Sequence, residues 1–264
     1  MVNNIIWVTW EDHRRSRELA EAFDAKYCPL LDKRSRYYRY VALAIRTLKL
    51  LKVERPTTVF CQNPSIVLAT LLCLVKRVFG YRLIVDRHTN FKFKTLNSKR
   101  PVWLLFNALS RFTTRAADLT IITNDYLKEF VENWGGTGFV LPDKLPCLNL
   151  RERRVLDGEY NFAFICTFSE DEPYEDIVQS AHLLSDDVHI YITGNYKKWK
   201  RYTSGEITIP SNVHLEGFLK EKDYQALIGS VDALIVLTDM DYTLNCGAYE
   251  GVELGKALIL SDTP

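Results

Sequence analysis

The residues whose types and spacing could do chemistry are Asp239 and Asp241, in the stretch Leu237-Thr-Asp-Met-Asp-Tyr-Thr243. They follow the apolar run Asp232-Ala-Leu-Ile-Val-Leu237, which predicts a buried strand. Two such carboxylates could form a nucleophile with its helper, hold a metal ion, or border a binding site without reacting. The elements that position them decide among these three interpretations.

The composition is that of a globular protein large enough for two cores. The chain has 264 residues, 47% of them hydrophobic and 25% charged. A single core usually divides at about 250–300 residues, so we expect two domains. No apolar stretch reaches the roughly 20 residues that span a bilayer, and the N-terminus becomes charged too early for a signal peptide. We therefore expect a cytoplasmic protein.

Net charge divides the chain into a basic and an acidic part. Residues 1–150 contain 24 basic and 13 acidic side chains, a net charge of +11, whereas residues 151–264 contain 10 and 20, a net charge of −10. This reversal supports two domains with different partners. The cysteines lack the spacing of metal ligands and are predicted to be reduced thiols in or near the core: Cys28, Cys61, Cys73, Cys147, Cys166 and Cys246.

Alternating strand and helix patterns predict a doubly wound α/β domain over residues 1–145. Its apolar runs are mostly continuous, which is typical of parallel strands covered by helices on both faces. The predicted strands are Asn4–Thr9, Thr57–Cys61, Arg82–Asp86, Leu119–Thr123 and Gly138–Leu141, and the predicted helices cover about 13–25, 36–53, 64–79, 101–117 and 124–133.

A proline-containing, charged segment breaks this pattern, and we place an interdomain linker at 146–158. The alternation then resumes, so residues 159–264 predict a second doubly wound domain. Because the chain ends straight after a strand, we expect this domain to be incomplete. Its predicted strands are Asn161–Cys166, Val188–Thr193, Val213–Leu215, Asp232–Leu237 and Lys256–Ser261, with helices near 174–184, 220–229 and 248–254.

Ligands of doubly wound sheets bind at the carboxyl ends of the strands, so the residues that follow each strand are the site candidates. A histidine there could act as a base or could be a structural hydrogen-bond partner, and both interpretations of His88 stay open. The sequence contains no dinucleotide or P-loop phosphate motif and no hydrolase nucleophile elbow. The candidates in the first half are Trp10, Glu11, His13, His88, Thr89 and Asn90.

In the second half, small and polar residues at 245–248 precede a predicted helix. Its backbone N–H groups and positive dipole end would favour a phosphate there. Glu250, in the predicted first turn, could be a helix-start charge or could accept hydrogen bonds from a vicinal diol such as a ribose. The candidates are Thr167, Gly194, Asn195, Lys197, Gly217, Phe218, Thr243, Asn245, Cys246, Gly247, Ala248, Tyr249 and Glu250.

The run from Asn212 to Asp262, NVHLEGFLKEKDYQALIGSVDALIVLTDMDYTLNCGAYEGVELGKALILSD, resembles the sugar-nucleotide-binding half of GT-B glycosyltransferases. It is most similar to the retaining family four, also called group one, whose pattern is approximately n-V-x-F-x-G, a helix, a-D-h-h-h-x-P-S, then E-x-x-x-x-x-x-E-A-x-A-x-G-K-P-V-h-x-S-D. The resemblance implies two Rossmann-like domains facing across a cleft and a nucleotide-sugar donor, with no metal or other cofactor. It also implies transfer to a glycan or lipid-linked acceptor in cell-surface polysaccharide or glycoconjugate synthesis.

Matched by position, Glu250 resembles the family's second motif glutamate, which holds the ribose, and Gly255-Lys256 resembles the glycine and lysine that follow. The first motif glutamate falls at Thr243, so the usual contact to the donor sugar is missing. Asp241 or Asp239 is expected to replace it. The candidate catalytic residues are His88 and Asp241.

A second departure is the acidic loop from Thr167 to Tyr174, where the family places a glycine, an arginine and a lysine that neutralise the donor diphosphate. An acidic loop cannot do this. The nearest basic cluster contains Lys197, Lys198, Lys200 and Arg201. We expect one of these lysines to support the leaving diphosphate together with residues 245–248; a solvated basic turn is the alternative.

The first half contains a candidate membrane-binding helix at residues 36–52. This fits a helix at an anionic bilayer surface, and it also fits an ordinary helix packed on the sheet. The charge of +11 over residues 1–150 makes peripheral contact with the inner face of a membrane an expectation. Nucleic acid is not expected as a partner, because no recognition motif accompanies the charge. The predicted apolar face comprises Tyr37, Val41, Ile45, Leu48 and Leu51.

Two alternatives to a glycosyltransferase stay open: a sugar-nucleotide epimerase or hydrolase on the same fold, and a non-catalytic nucleotide-sugar-binding module. The phosphatase interpretation of the aspartate pair loses support, because the 21 residues after Thr243 are too few for further catalytic segments. A metal-holding pair belongs to transferases of a single-domain architecture. Asp239 and Asp241 are therefore expected at the rim of a donor-sugar pocket.

Overall fold

A computed structural model of the chain describes residues 4–62, 65–87, 91–148, 150 and 152–263. The chain divides into two compact units, Met1–Asp143 and Lys144–Pro264. Each unit is built on its own parallel β-sheet. The predicted α/β class is therefore confirmed. Within the described residues no helix is both long and apolar enough to cross a membrane.

The first unit has a six-stranded sheet in the order β2-β1-β3-β4-β5-β6. Its strands are β1 Ile5–Thr9, β2 Lys26–Pro29, β3 Thr58–Gln62, β4 Arg82–Asp86, β5 Leu119–Ile122 and β6 Gly138–Val140. Its helices are α1 Arg14–Ala22, α2 Arg36–Glu54, α3 Ile66–Phe79, α4 Pro101–Ala116 and α5 Asp125–Asn133.

The core of the first unit covers both faces of its sheet, because successive side chains of a strand point to opposite faces. Val8 of β1 packs in one cluster with Leu43 of α2 and Leu72 of α3. Trp7, its neighbour in β1, packs in another cluster with Phe60, and the two rings stack at 5.0 Å between centroids. This two-sided burial explains why the strands read as continuous apolar runs.

β2 is a strand that the apolar pattern does not predict. It lies at the edge of the sheet, has four residues, and exposes Lys26 and Pro29. Lysine and proline are typical of edge strands, where they discourage pairing with another chain. Because of these two residues, the segment lacks the continuous apolar run from which a strand would be predicted.

The apolar residues predicted to share one face of the helix at 36–52 do not share one environment. In α2, Leu51 is buried, whereas Tyr37, Val41 and Ile45 are 85%, 62% and 50% exposed. The stripe that the helix buries includes Leu51 and also Leu43, which is not part of the predicted face. The apolar residues of α2 therefore divide between the core and the protein surface.

The second unit has a five-stranded sheet in the order β11-β10-β7-β8-β9. Phe164 and Ile192 pack with Trp199 in one cluster, and Ala163 and Tyr191 pack with other residues in a second cluster. The strands are β7 Tyr160–Phe164, β8 Val188–Thr193, β9 Val213–Gly217, β10 Ala233–Val236 and β11 Ala257–Leu260, and the helices are α6 Tyr174–Ala181, α7 Lys200–Thr203, α8 Glu221–Ser230 and α9 Cys246–Glu253.

The prediction of core thiols is wrong for two cysteines. All six are free, but Cys147 and Cys246 are exposed. Cys246 is the first residue of α9, and Cys147 lies between β6 and β7, so neither belongs to a strand of a sheet. The other four are buried, and burial raises the pKa of Cys73 to about 12, which makes this thiol unreactive.

Candidate functional site

The carboxyl ends of β7, β8, β9 and β10 lie along one edge of the second sheet, because all its strands are parallel. We call this the donor edge. Its loops carry the predicted donor residues, which the structure therefore brings to one side of the unit. They are Thr167 after β7, Gly194, Asn195 and Lys197 after β8, Gly217 and Phe218 at the end of β9, and residues 243–250 after β10.

Gly194 sets the spacing of the strand ends at the donor edge. Its φ is +95°, in the region that favours glycine, and a Cβ at this position would lie 2.1 Å from the carbonyl oxygen of Cys166. Its N–H donates to the carbonyl of Gly217 at 2.8 Å. A side chain at position 194 would therefore separate the loop after β7 from the end of β8.

The start of α9 lies close against the sheet. Gly247 is buried, and a Cβ there would come within 3.0 Å of Val236 and 3.1 Å of Ile165. One turn later, a Cβ at Gly251 would come within 2.3 Å of Leu258. These two glycines bring the positive end of the helix dipole to the ends of β7 and β10.

The prediction that Glu250 lies in the first helical turn is wrong. The helix starts at Cys246, with Asn245 as its N-cap, so Glu250 is in the second turn. Asn245 makes no side-chain cap hydrogen bond, so backbone and not side-chain groups form the helix start. The interpretation of Glu250 as a helix-start charge therefore loses its basis.

Glu250 is oriented by Tyr224 of α8, whose hydroxyl donates to its Oε2 atom. Burial, and next the Glu250 carboxylate, raise the pKa of Tyr224 well above its usual range. Tyr224 therefore stays protonated and remains a donor at neutral pH. Glu250 itself is half-buried, so its carboxylate is held in place at the protein surface.

The acidic loop after β7 turns two of its carboxylates inward. Glu172 Oε2 accepts hydrogen bonds from the N–H groups of Thr167 at 2.9 Å and Ser169 at 2.8 Å, and from the Thr167 hydroxyl at 3.0 Å. Asp171 Oδ2 accepts from the hydroxyl of Thr238 at 3.0 Å. The negative charge of this loop is therefore satisfied largely by protein donors.

Phe168 in the same loop has a left-handed backbone, with φ +59°. Its ring is buried beside Tyr174 and Trp199, at centroid distances of 5.0 and 6.1 Å. A left-handed conformation costs a non-glycine residue about 1–2 kcal/mol. The aromatic packing maintains this loop conformation at the donor edge.

Among the predicted basic residues, Lys198 reaches the strand ends. Its Nζ donates to the carbonyl of Thr167 at 3.1 Å. Lys197 and Lys200 are exposed, whereas Arg201 pairs with Glu175 at 2.5 Å. Lys198 therefore lies at the loop after β7, whereas Arg201 forms an ion pair within the second unit.

The two aspartates that follow β10 are exposed on a loop that is anchored at its start. Thr238 is buried, and its N–H donates to Ser261 Oγ at 2.8 Å. The N–H of Asp239 donates to the carbonyl of Asp171 at 2.7 Å. Thr243 Oγ1 donates to the carbonyl of Asp241 at 3.2 Å, so the residue at the missing glutamate position stabilises the loop.

The carboxyl edge of the first sheet contains a buried ionic network. Arg15 of α1 lies 3.2 Å from Asp86 at the end of β4, pairs also with Asp143, and donates to the carbonyl of Leu141 at 3.0 Å. Burial acts to lower the pKa of Arg15, but Asp86 and Asp143 raise it, so the guanidinium stays charged. One guanidinium therefore serves two carboxylates.

The predicted acceptor-side residues of the first unit differ in exposure. Trp10 is buried, and its indole N–H donates to Thr47 Oγ1 at 3.0 Å, so an acceptor contact through this group is not expected. Glu11 and His13 are exposed, and His13 is the N-cap of α1. The remaining candidates, His88, Thr89 and Asn90, lie outside the described residues.

Several polar residues at the carboxyl edge of the first sheet are not among the candidates predicted from the sequence. Gln62 ends β3 and accepts from Thr9 Oγ1 at 3.0 Å. Arg87 follows β4, and burial lowers its pKa to about 9. The strand-end rule could have found both of these residues, whereas the pairing of Arg15 with Asp143 joins distant segments and leaves no local signal.

No family model matches the sequence, and no curated protein is similar to it at the sequence level. Solved structures match the fold. HepE from Anabaena, in complex with UDP-glucose, is 11% identical with a TM-score of 0.70, over 97% of this chain and 72% of HepE. Sucrose-phosphate synthase from Thermosynechococcus elongatus is 12% identical with a TM-score of 0.69, over 96% of this chain and 67% of the synthase.

An epimerase has a similar structure. The UDP-GlcNAc 2-epimerase from Methanocaldococcus jannaschii is 12% identical with a TM-score of 0.62, over 97% of this chain and 88% of the epimerase. At such identities the similarity concerns the fold. With its two parallel sheets and their flanking helices, the chain has the GT-B glycosyltransferase fold, which is built from two Rossmann-like domains.

Proposed function

We propose that this protein is a glycosyltransferase that binds a nucleotide-sugar donor at the donor edge and transfers the sugar to a glycan or lipid-linked acceptor. Its proposed role is in cell-surface polysaccharide or glycoconjugate synthesis. The observation that carries the proposal is that α9 begins against the strand ends and presents an oriented carboxylate, Glu250, one turn later. The fold shared with HepE, which binds UDP-glucose, supports it.

Glu250 is proposed to bind the ribose of the donor. A carboxylate can accept two hydrogen bonds from a vicinal diol. Tyr224 holds the Glu250 carboxylate in one orientation before the ligand arrives, which reduces the entropy lost on binding. Glu250 is half-buried, so part of the residue is exposed to solvent.

The start of α9 and a lysine are proposed to receive the donor diphosphate. Backbone N–H groups at a helix N-terminus and a nearby ammonium group favour the charge that develops on a leaving diphosphate. Lys198 contacts the loop after β7, and Lys197 lies exposed beside it. We therefore propose that protein groups, with no metal ion, stabilise the leaving group.

Asp239 or Asp241 is proposed to contact the hydroxyl groups of the donor sugar. Both are exposed on the loop between β10 and α9, whereas Thr243 is bonded to its own loop. We further propose that the sugar keeps its anomeric configuration, with the acceptor hydroxyl attacking from the face on which the diphosphate leaves. Proton NMR of the product formed from a donor of known anomeric configuration tests this outcome.

Binding of UDP-glucose and of a panel of other sugar nucleotides, measured by isothermal titration calorimetry, tests the donor site. We expect Glu250→Gln to weaken binding at least tenfold, which is about 1.4 kcal/mol. Glu253→Gln is the matched control, because Glu253 is an exposed glutamate of the same helix. Equal affinity in the Glu250 variant and the wild type would contradict the assignment, as would the absence of binding by every donor tested.

A sugar-nucleotide epimerase or hydrolase is the second candidate, and the structural similarity to the UDP-GlcNAc 2-epimerase favours it. Incubation of a bound sugar nucleotide with and without a mixture of glycan and lipid-linked acceptors distinguishes the two. A transferase consumes the donor faster when an acceptor is present. Equal turnover without acceptor supports the epimerase or hydrolase, and binding without turnover in either case supports a non-catalytic module.

The exposed side of α2 is proposed to contact the headgroups of an anionic bilayer. Tyr37, Val41 and Ile45 lie one turn apart and are exposed, and Lys49 and Lys52 follow on the same side of the helix. An apolar row continued by lysines is complementary to a negatively charged membrane surface. Each basic residue near such a surface contributes about 1 kcal/mol.

Sedimentation with vesicles of phosphatidylcholine and phosphatidylserine tests this contact. The variant Val41→Asp combined with Ile45→Asp should reduce the bound fraction at least fivefold. Val155→Asp is the control, because Val155 is an equally apolar and 94% exposed residue of the second unit. The proposal fails if both variants bind like the wild type, or if pure phosphatidylcholine vesicles bind the protein equally well.

A further inference from the structure

Three side chains with metal-binding atoms meet at the amino edge of the second sheet, at the opposite ends of the strands from the donor edge. His189 is the second residue of β8, His214 is the second residue of β9, and Asp157 precedes β7. One nitrogen or oxygen atom from each of the three lies within 4.8 Å of the other two. None of these three residues lies at the donor edge.

The strand register explains why these residues meet. His214 pairs with Tyr191 across the parallel ladder, and His189 is two residues before Tyr191, so all three side chains lie on one face of the sheet. The His214 ring stacks on Tyr191 at 4.5 Å and on His189 at 5.1 Å between centroids. These contacts hold the two imidazole rings side by side.

The spacing of the ligand atoms suits a small tetrahedral ion. His189 Nδ1 lies 2.8 Å from His214 Nε2, which lies 3.8 Å from Asp157 Oδ2. With bonds of about 2.0–2.1 Å, the ligands of tetrahedral Zn²⁺ are about 3.3 Å apart. The two observed distances lie on either side of this value, so small side-chain rotations are enough to accommodate the ion.

Further contacts orient the ligands. His189 Nε2 lies 3.1 Å from the carbonyl oxygen of Asp186. A carbonyl accepts and cannot donate, so Nε2 carries the ring proton and the Nδ1 lone pair accepts a hydrogen bond from His214 Nε2–H; a metal ion would take the place of that proton between the two rings. The N–H of Asp157 donates to the Tyr191 hydroxyl at 2.8 Å, which ties the carboxylate's segment to β8.

Charged groups near the cluster leave it open to a cation. The positive charge of the neighbouring Arg154 is balanced by Glu216 at 2.7 Å. Asp157 is exposed and gives an ion access from solvent.

We propose that Asp157, His189 and His214 form a binding site for Zn²⁺ or a similar transition-metal ion. Two imidazoles with one carboxylate favour Zn²⁺ over Mg²⁺ or Ca²⁺, which prefer oxygen ligands alone. Water or an external ligand completes the coordination. Because the ion joins the segment before β7 to β8 and β9, it stabilises the second unit and takes no part in donor binding.

Calorimetric titration of the tag-free, EDTA-treated full chain with ZnCl₂ tests the proposal, with MgCl₂ as the comparison. We expect one Zn²⁺ per chain, a higher midpoint of thermal unfolding with Zn²⁺, and no response to Mg²⁺. Co²⁺ in place of Zn²⁺ should give the visible absorption of a tetrahedral site. A chain that binds no Zn²⁺, or binds Mg²⁺ equally, would overturn the assignment.

Variants locate the ion. His214→Ala should weaken Zn²⁺ binding at least tenfold, and Asp157→Asn, which changes an exposed side chain and preserves its size, should weaken it without loss of folding. His182→Ala is the control, because His182 is an exposed histidine at the end of α6. The proposal is overturned if Asp157→Asn and His182→Ala bind Zn²⁺ with the same affinity and stoichiometry as the wild type. UDP-glucose affinity should be unchanged in the Asp157 variant, so this test is independent of the proposed transferase activity.

Discussion

The strands of both sheets are parallel, but the charged residues at the carboxyl edges of the two sheets have different partners. In the first unit, Arg15 is buried between Asp86 and Asp143, and both carboxylates pair with its guanidinium. In the second unit, Glu172 is bonded to backbone N–H groups, while Lys197 and Asp241 are exposed. Polar residues at strand ends therefore hold the first edge together, whereas several of those at the second edge are exposed to solvent.

The strongest test of this difference is Arg15→Met. It removes one ion-pair partner of the fully buried carboxylate of Asp86, and removing one member of a buried pair costs about 3–5 kcal/mol. We expect a loss of this size in the free energy of unfolding of the first unit, measured by urea denaturation. Arg17→Met removes an exposed pair with Asp12 and should leave the unfolding midpoint unchanged. Equal midpoints for the two variants would show that the first edge does not depend on its ionic network.

Gly194→Ala tests whether backbone spacing rather than charge determines the second edge. The new Cβ would overlap the carbonyl of Cys166, and the backbone is left-handed. Strain and displacement together should lower the stability of the second unit by about 3 kcal/mol and abolish UDP-glucose binding.

Gly205→Ala is the control for Gly194→Ala. Position 205 is also left-handed, but no atom lies within 4 Å of its Cβ. We expect a loss of about 1–2 kcal/mol there and unchanged donor affinity. If both alanine variants behaved alike in urea denaturation and in calorimetry, close packing at Gly194 would have no special part in the donor edge.

Tyr224→Phe removes one hydrogen bond from the Glu250 carboxylate, which is proposed to bind a ligand. A hydrogen bond to a charged group contributes about 1.5 kcal/mol, so UDP-glucose affinity should fall about tenfold. Tyr160→Phe, at a half-exposed tyrosine of β7, is the control and should bind like the wild type. An unchanged dissociation constant for Tyr224→Phe would show that Glu250 needs no orientation by α8.

The smallest expected effect is a pH dependence in the second unit. Burial and His189 lower the pKa of His214 below its ordinary value of 6.5, so below that pH the unfolded chain binds more protons than the folded chain. Stability should therefore fall as the pH is lowered through 6.5, and should be fully present above it. Urea midpoints in EDTA at pH 7.5 and 5.5 should differ less for His214→Gln than for the wild type; an equal difference would contradict this assignment.

The sequence predicts the fold best where burial is two-sided. β4 at Arg82–Asp86 and β8 at Val188–Thr193 begin and end as predicted, because each is a continuous apolar run covered by helices. The edge strand β2 is not predicted, because Lys26 and Pro29 are exposed and the segment therefore has no continuous apolar run. Local patterns therefore record burial rather than strand pairing.

The candidate site is only partly predictable from the sequence, because the number of charged residues in a loop does not show which way their side chains point. From its composition, the acidic loop after β7 is not expected to bind a phosphate. In the structure, however, the Glu172 carboxylate accepts hydrogen bonds from backbone N–H groups of its own loop. The helix that carries Glu250 starts earlier than its apolar pattern indicates, because the small residues before Ala248 are already helical. The contact between His189 and His214 follows from strand register across 25 residues, which a single sequence does not display.

The glycines of α9 have a consequence for how this protein can change by mutation. A Cβ at Gly247 would press on Val236 and Ile165, and a Cβ at Gly251 would overlap the Leu258 side chain, so a larger residue at either position would displace these neighbours or raise the helix together with Glu250. Val252 and Glu253, on the exposed side, are under no such restriction. In a saturation library selected for sugar-nucleotide binding, we therefore expect glycine to be retained at 247 and 251, while neighbouring positions on the exposed side of the helix vary freely. The size of the largest residue accepted at 247 and 251 would show how close to the sheet the helix must lie for binding.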